Sequence, residues 1–444
     1  MSEMTKVSNL KLLHGVWKHH SNLIDYIESV RKDHGESFQF SFGVLNGLFL
    51  NDPELVKTVL LEKWAIFPKS RRYKVLSPLI GDSLLTSNGD RWKERRVLAQ
   101  PIFQTKIIAS YRGIIEKEVK SSLDRLRDGV SFDAYPHIAH FTFRVISKIM
   151  FSDDIDEVFD EFHHTVLRIQ NECTKVALYP FPIMDKLPLP TNIIFRKLSS
   201  TIHKIVDGII ERRLKNSNAH QYKDLLSRYL EMIQAENKNF SMTELRNELV
   251  TMLIAGNETT ALTLTWSLME LSRPENKEIQ KNLITELGAI ELPTDEENSF
   301  LFLKQVPKMG QVINETLRMY PAVWLFSREA AEDFQLKNIK IKKGTLILIS
   351  PFFLGRNSSS WKNPNHFDPS RFEGKYNEDA FVPFARGPRT CIGMSLAQFE
   401  IQLYLFNFFK RFNVSSEEDL SVIKPKPLVN LYPDRPIKLI PTNL

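Results

Sequence analysis

Along the chain, apolar residues recur chiefly at helical spacing, and two-residue alternation is confined to short pieces. Phe38, Phe40 and Phe42 alternate with polar residues, and Asn46-Gly47 precedes Leu48-Phe49-Leu50. That pattern predicts a β-hairpin turning at Asn46-Gly47. Asp52-Pro53 is expected to open a short helix through Leu61. From about Arg91 to Leu271 the periodicity is helical, with one break where Pro180, Pro182, Pro188 and Pro190 crowd Tyr179, Phe181, Ile183 and Met184. Such an apolar connection is a packed loop or a lid over a site. The segment Ser241 to Arg273 is the longest helix candidate. Ser241 and Glu244 have capping-box spacing, Leu245, Leu249, Met252, Leu253 and Ile254 give a broad apolar face, and Pro274 ends it. Gln305 to Met319 predicts another helix. Ile339 to Ile349 predicts two strands joined through Lys343-Gly344, and the proline-punctuated tail predicts short strands.

Composition narrows the class. The 444 residues carry a formal net charge of +6, and 42% are hydrophobic, ample for a large core. The basic runs, such as Lys69-Ser-Arg-Arg-Tyr-Lys74, are short and read as solvated surface charge, so no nucleic-acid partner is expected. A local basic face could still attract an acidic protein. Two cysteines, Cys173 and Cys391, exclude a disulfide framework and indicate a reducing compartment. The charged segment from Met1 to Gly35 holds no spanning helix and no signal peptide, so a soluble, cytoplasmic protein is expected.

Cys391 lies in Phe384-Ala-Arg-Gly-Pro-Arg-Thr-Cys-Ile-Gly393, just ahead of an apolar helix that begins around Leu396. Backbone N–H groups and the positive helix end favour a thiolate there, as a metal ligand or a nucleophile. A lone cysteine in such a place is more often an inert packed residue; Phe384, Gly387, Arg389 and Gly393 at fixed offsets weigh against that. A cysteine nucleophile needs a neighbouring base, and no histidine lies in Phe381 to Lys410. In the long helix, Ala255-Gly256-Asn257-Glu258-Thr259-Thr260 places an acid beside hydroxyls in an apolar stretch. Taken alone, Glu258 reads as a solvent-facing residue. Glu315 and Arg318 share a helix face, as surface pairs often do. Trp92 and Arg96 are one helical turn apart, while Lys93, Glu94 and Arg95 between them read as an exposed face.

The loop closely resembles the heme-binding loop of the cytochrome P-450 family, Phe-x-x-Gly-x-Arg-x-Cys-x-Gly, and the other motifs follow in the family's order. The resemblance covers nearly the whole chain. It implies a mainly α fold with minor β: one large helix-rich domain over residues 1–444, with a long central helix and small β-sheets. A β-rich part at about 36–60, a helical core at about 90–320 and the heme-binding loop at 384–393 are expected within it. It implies heme b, iron protoporphyrin IX, with Cys391 as the metal ligand and Phe384, Gly387 and Gly393 shaping the loop. Arg389, Trp92, Arg96 and Arg328 would meet the propionates. Gly256 would open a groove for dioxygen, Thr259 would steady activated oxygen by a hydrogen bond, and Glu258 would deliver protons through water. Glu315, Arg318 and the Arg371 of Phe367-Asp-Pro-Ser-Arg-Phe would form a buried structural triad. Ala255 stands where many fatty-acid ω-hydroxylases carry a glutamate bonded to the heme, so non-covalent heme is implied.

The function so implied is a monooxygenase acting on a lipophilic substrate: a fatty acid, a terpenoid or another hydrophobic natural product. Its electrons would come from a separate ferredoxin, flavodoxin or flavoprotein reductase. The pocket would draw on the loop before Trp92, the long helix before Gly256, Ala322 to Phe326, and Leu428 to Leu431. The family branch implied is soluble and bacterial, with motifs like the microsomal and fatty-acid hydroxylase members; neither a transmembrane anchor before the domain nor a flavin domain after it is expected. Two other classes stand beside this one: a heme-thiolate peroxygenase using hydrogen peroxide, against which the Glu258-Thr259 pair speaks, and a non-heme binding protein or cysteine hydrolase.

Overall fold

The computed structural model describes the chain except residues 1–4, 20, 21, 153, 154, 216–221, 223, 236–239 and 304. Its largest sheet has five strands in the order Lys6–Val7, Phe38–Phe42, Leu45–Leu50, Leu346–Ile349, Phe326–Glu329. The expected hairpin forms, but it turns at Gly43-Val44, where Gly43 has φ +62°. Asn46 and Gly47 lie inside the second strand. Gly47 pairs with Phe40, whose ring covers the position a side chain would take. The glycine therefore serves cross-strand packing rather than the turn. The short helix after Asp52 is α-helical over Pro53–Lys57 and continues as a π-turn over Thr58–Glu62.

A second correction concerns Ile339 to Ile349. The chain does turn at Gly344 (φ +81°), but the two strands do not pair with each other. Ile339–Ile341 pairs with Phe334–Leu336, whereas Leu346–Ile349 inserts between Leu45–Leu50 and Phe326–Glu329. A turn residue reports a reversal; the strand partner is chosen by burial of Ile347 and Ile349 in the larger sheet.

The long helix runs from Met242 to Ser272, 31 residues or about 45 Å. Ser241 accepts from the Glu244 N–H, and Glu244 reaches back to the Ser241 N–H, the reciprocal cap the spacing predicts. From Leu245 on, it is buried on nearly every face, against the helices Ala134–Phe151, Pro307–Met319 and Met394–Phe409. Several of its interior hydroxyls are satisfied locally: Thr263, Thr265 and Ser267 donate to the carbonyls four residues back. The proline-rich connection joins the helices Phe159–Ala177 and Pro190–Lys215 through a 3-10 turn at Pro182–Lys186. Among the described residues no helix is long and apolar enough to cross a membrane.

Candidate active site

The Cys391 loop is built on a braced foundation. Glu315 and Arg318, on the helix Pro307–Met319, form a forked pair at 2.6 and 2.7 Å, both fully buried. Arg318 also donates to the carbonyls of Gly355, Pro364 (2.7 Å) and His366 (3.3 Å). Glu315 accepts from the Asp368 N–H at 2.7 Å and from Arg371 Nε at 3.3 Å. The surface-pair reading of Glu315 and Arg318 is thus overturned, and the predicted three-residue cluster assembles. It ties the segment leading toward residue 384 to the helical core.

Beyond it the loop is set by close approach. Gly387 has φ +73°, and a side chain there would collide with the Leu60 carbonyl. Cys391 N–H donates to the Phe384 carbonyl at 3.0 Å, closing the loop, and Gly393 caps the helix Met394–Phe409. Cys391 is exposed to solvent. Its surroundings nevertheless raise the thiol pKa: burial outweighs the Gly393 and Met394 N–H groups, Arg96 and Lys69, all of which favour thiolate. The helix-end groups therefore favour thiolate, but burial opposes them and prevails.

Around the loop lie four cations. Arg389 stacks over the buried Trp92 ring at 3.7 Å and donates to Ser87 O (3.0 Å) and Asn88 Oδ1 (2.9 Å), leaving Nε buried without a partner. Arg96 donates to Thr390 O at 2.7 Å. Arg328, on the strand Phe326–Glu329, is buried beside Phe326 and donates to Ser327 O. Lys69 donates to Leu85 O at 2.7 Å. Its pKa falls well below the usual lysine range, through burial and then Arg328, Arg389 and Arg96; burial and the same arginine neighbours lower Arg389 to about 10. Among the described residues, none of the four forms an ion pair with a carboxylate. Concentrated positive charge without an anion is costly, and a group bringing two carboxylates to this place, as heme does, fits it.

The long helix packs against the helix Met394–Phe409, which follows the Cys391 loop directly, and Ile254 and Ile392 both lie against the same large apolar cluster. Ala255 is exposed although most of the helix is buried. Thr259 is half-buried and its hydroxyl donates to the Ala255 carbonyl at 2.7 Å. Gly256 gains a packing reason, since a Cβ there would lie 3.0 Å from Ile146 of the helix Ala134–Phe151. Glu258 is fully buried, not solvent-facing. It accepts from the Tyr135 hydroxyl at 2.8 Å, and burial raises its carboxyl to about 7.

Sequence reasoning missed three residues here. Lys69 sat in a run read as surface charge. Arg95, read as part of an exposed face, is buried and pairs with Glu248 at 2.7 Å and Glu244 at 2.9 Å, binding the Trp92 helix Gly89–Ala99 to the long helix. Tyr135 carried no motif; its one signal was a hydroxyl near the start of an apolar helix, and helix periodicity does not report a partner 123 positions away. Two of the four expected pocket segments meet: Leu431 N–H donates to Ala322 O at 2.9 Å, and the Trp324 indole to Leu428 O at 2.7 Å. Trp324 is thereby a buried strut, leaving the half-buried Val323 and Leu325 as the freer apolar surface.

Residues 7–441 match the family described as Cytochrome P450. The chain is 30% identical to cyclooctat-9-en-7-ol 5-monooxygenase of Streptomyces melanosporofaciens, over 86% of this chain and 83% of that protein. It is 27% identical to pentalenene oxygenase of Streptomyces avermitilis (91% and 90%) and 31% identical to leukotriene-B4 omega-hydroxylase 3 of Mus musculus (78% and 71%). A match across nearly the whole chain, over a mainly helical fold with small sheets and a cysteine loop ringed by unpaired cations, leaves one conclusion: the chain belongs to the cytochrome P450 family, as a heme-dependent monooxygenase.

Proposed function

We propose that this chain, as one P450 domain, holds non-covalent heme b on Cys391 and uses it to hydroxylate a lipophilic small molecule, drawing electrons from a separate NAD(P)H-linked partner. The observation that carries the reading is the set Lys69, Arg96, Arg328 and Arg389 around Cys391, four cations without a carboxylate. Heme held by the Cys391 thiolate would supply dioxygen activation, which electron donation from the thiolate would favour. The protein's part is positioning and proton control. Arg96, Arg328 and Arg389 would each donate to a propionate, with Trp92 as the platform under Arg389. Phe384, Gly387 and Gly393 keep the Cys391 sulfur at the helix end, where the Gly393 and Met394 N–H groups reach it. Ala255 and Gly256 keep this stretch of the long helix free of bulk. Thr259 would supply a hydroxyl hydrogen bond on this face of the helix once it leaves the Ala255 carbonyl. Glu258 stores a proton near neutral pH on the buried side of the helix.

A lipophilic substrate is supported by the apolar Val323 and Leu325 and by the relatives' names, which carry a leukotriene, pentalenene and a cyclooctatenol. A terpenoid or a fatty acid is the substrate class we infer. A ferredoxin, flavodoxin or flavoprotein reductase would supply the electrons. Turnover of dodecanoate and of a cyclic terpene, with a surrogate ferredoxin and its reductase, tests this. Hydroxylated product from either supports it. Hydrogen peroxide sustaining turnover that the reductase system cannot would overturn the electron-supply reading.

A further inference from the structure

Glu258 has an unusual setting for a group that must hold and release a proton. Among the described residues its hydrogen-bond partners are Tyr135, at 2.8 Å from the helix Ala134–Phe151, and the neighbouring Asn257 Nδ2, a long contact at 3.5 Å. Asn257 is itself engaged, accepting from Thr142 at 2.6 Å. No lysine or arginine contributes to the carboxyl's shift. The other titratable groups packed there are Tyr432, from the strand Leu431–Pro433, and His163, from the helix Phe159–Ala177. Tyr135 is wholly enclosed between them, its ring 5.4 Å from that of Tyr432 and 5.6 Å from that of His163. Burial first, and then the neighbouring His164, lower the His163 pKa to about 4 against the opposing pull of Asp160.

The Tyr135 hydroxyl has a second acceptor within reach, the Tyr432 hydroxyl at 3.5 Å. A buried hydroxyl that loses its partner is destabilised, so this second oxygen matters: it lets Tyr135 release the carboxyl without being orphaned. We propose that Tyr135 is the positioning residue for the acid of this site, holding the Glu258 carboxyl on the buried side of the long helix and passing its hydrogen bond to Tyr432 when the carboxyl turns toward Thr259. This rests on the role given above to Glu258. Two consequences separate it from mere packing. Burial raises the Glu258 carboxyl, and the Tyr135 hydrogen bond works against that rise. Removing the hydroxyl therefore leaves the carboxyl protonated to higher pH. Removing the Tyr432 hydroxyl leaves the ground-state bond intact and hinders only the release.

The test is infrared difference spectroscopy of the heme-loaded protein across pH, following the protonated-carboxyl stretch that disappears in Glu258→Gln. Tyr135→Phe, which keeps the ring contacts, is expected to move the midpoint up by about one pH unit, a tenfold change in proton affinity. Tyr432→Phe is expected to leave the midpoint in place but to yield less product and more peroxide per NADPH, with a surrogate ferredoxin, its reductase and dodecanoate as probe. An unchanged midpoint in Tyr135→Phe overturns the proposal, and wild-type coupling in Tyr432→Phe overturns the hand-over. If Glu258→Gln itself leaves coupling unchanged, the failure lies in the role of Glu258 rather than in Tyr135.

Discussion

Replacing Arg318 by alanine removes the hub of the brace behind the Cys391 loop. The guanidinium makes two bonds to Glu315 and reaches the carbonyls of Gly355, Pro364 and His366. Arg318, Glu315 and Gly355 are buried, so water cannot replace the bonds among them, whereas the Pro364 and His366 carbonyls lie nearer the surface. Glu315 keeps the Asp368 N–H at 2.7 Å and Arg371 at 3.3 Å, which softens the loss. The Gly355 and Pro364 carbonyls lose this donor, which deepens it. Breaking a buried ion pair from one side costs about 3–5 kcal/mol. At roughly 2 °C per kcal/mol for a large chain, the Tm should fall by roughly 6–10 °C. Lysine in the same place restores charge but not the fork, so it should recover only part. The assay is thermal unfolding at one fixed scan rate, since large proteins often unfold irreversibly, together with the heme-to-protein ratio of the purified variant. Arg371→Ala, whose single contact to Glu315 is longer, should lose less. An Arg318→Ala protein with wild-type Tm and full heme content would refute the bracing role.

Thr259→Ala should fold and take up heme normally, because alanine is a good helix residue and the lost bond only returned to Ala255; product per electron pair should fall and peroxide rise. Glu258 has its folded pKa at about 7, above its ordinary 4.5, so the folded protein holds a proton that the unfolded chain has released between those values. Its contribution to stability is present below about pH 4.5 and lost as pH rises toward 7. Tm measured against pH should therefore decline less steeply over that window in Glu258→Gln than in wild type. Gly387→Ala meets both a positive φ and the Leu60 carbonyl and should yield little heme-loaded protein, whereas Gly393→Ala meets only Phe103 at 3.7 Å and should retain its heme.

What the sequence makes legible follows from the range of each interaction. The cap at Ser241, the helix ending before Pro274 and the Glu315–Arg318 pairing are set by residues within one helical turn, and each appears where its spacing places it. The hairpin at Phe38 also forms, yet its turn sits three residues before the Asn46-Gly47 signal, because Gly47 answers to the Phe40 ring across the strand. Leu346–Ile349 abandons the neighbour offered by Lys343-Gly344 for strands some 300 and 20 positions away. The same limit governs the site. Cys391, Arg389 and Thr259 are recognisable from offsets, whereas the settings of Lys69, beside Arg328 and Arg389, and of Arg95, beside Glu244 and Glu248, depend on residues distant in the chain. Charge in a sequence looks solvated until the fold supplies its counterpart, and Glu258 acquires its setting only when Tyr135 arrives.

The central claim is that the Cys391 thiolate holds a heme iron. The carbon-monoxide difference spectrum of the reduced protein tests it most directly, read for wild type and Cys391→Ser side by side. The wild-type protein should show the strongly red-shifted band of a thiolate-ligated heme, and Cys391→Ser should lose it, since a serine hydroxyl is a poor iron ligand at neutral pH and cannot supply the thiolate's electronic push. A thiolate-type band that survives in Cys391→Ser, or its absence from heme-reconstituted wild type, would contradict the assignment.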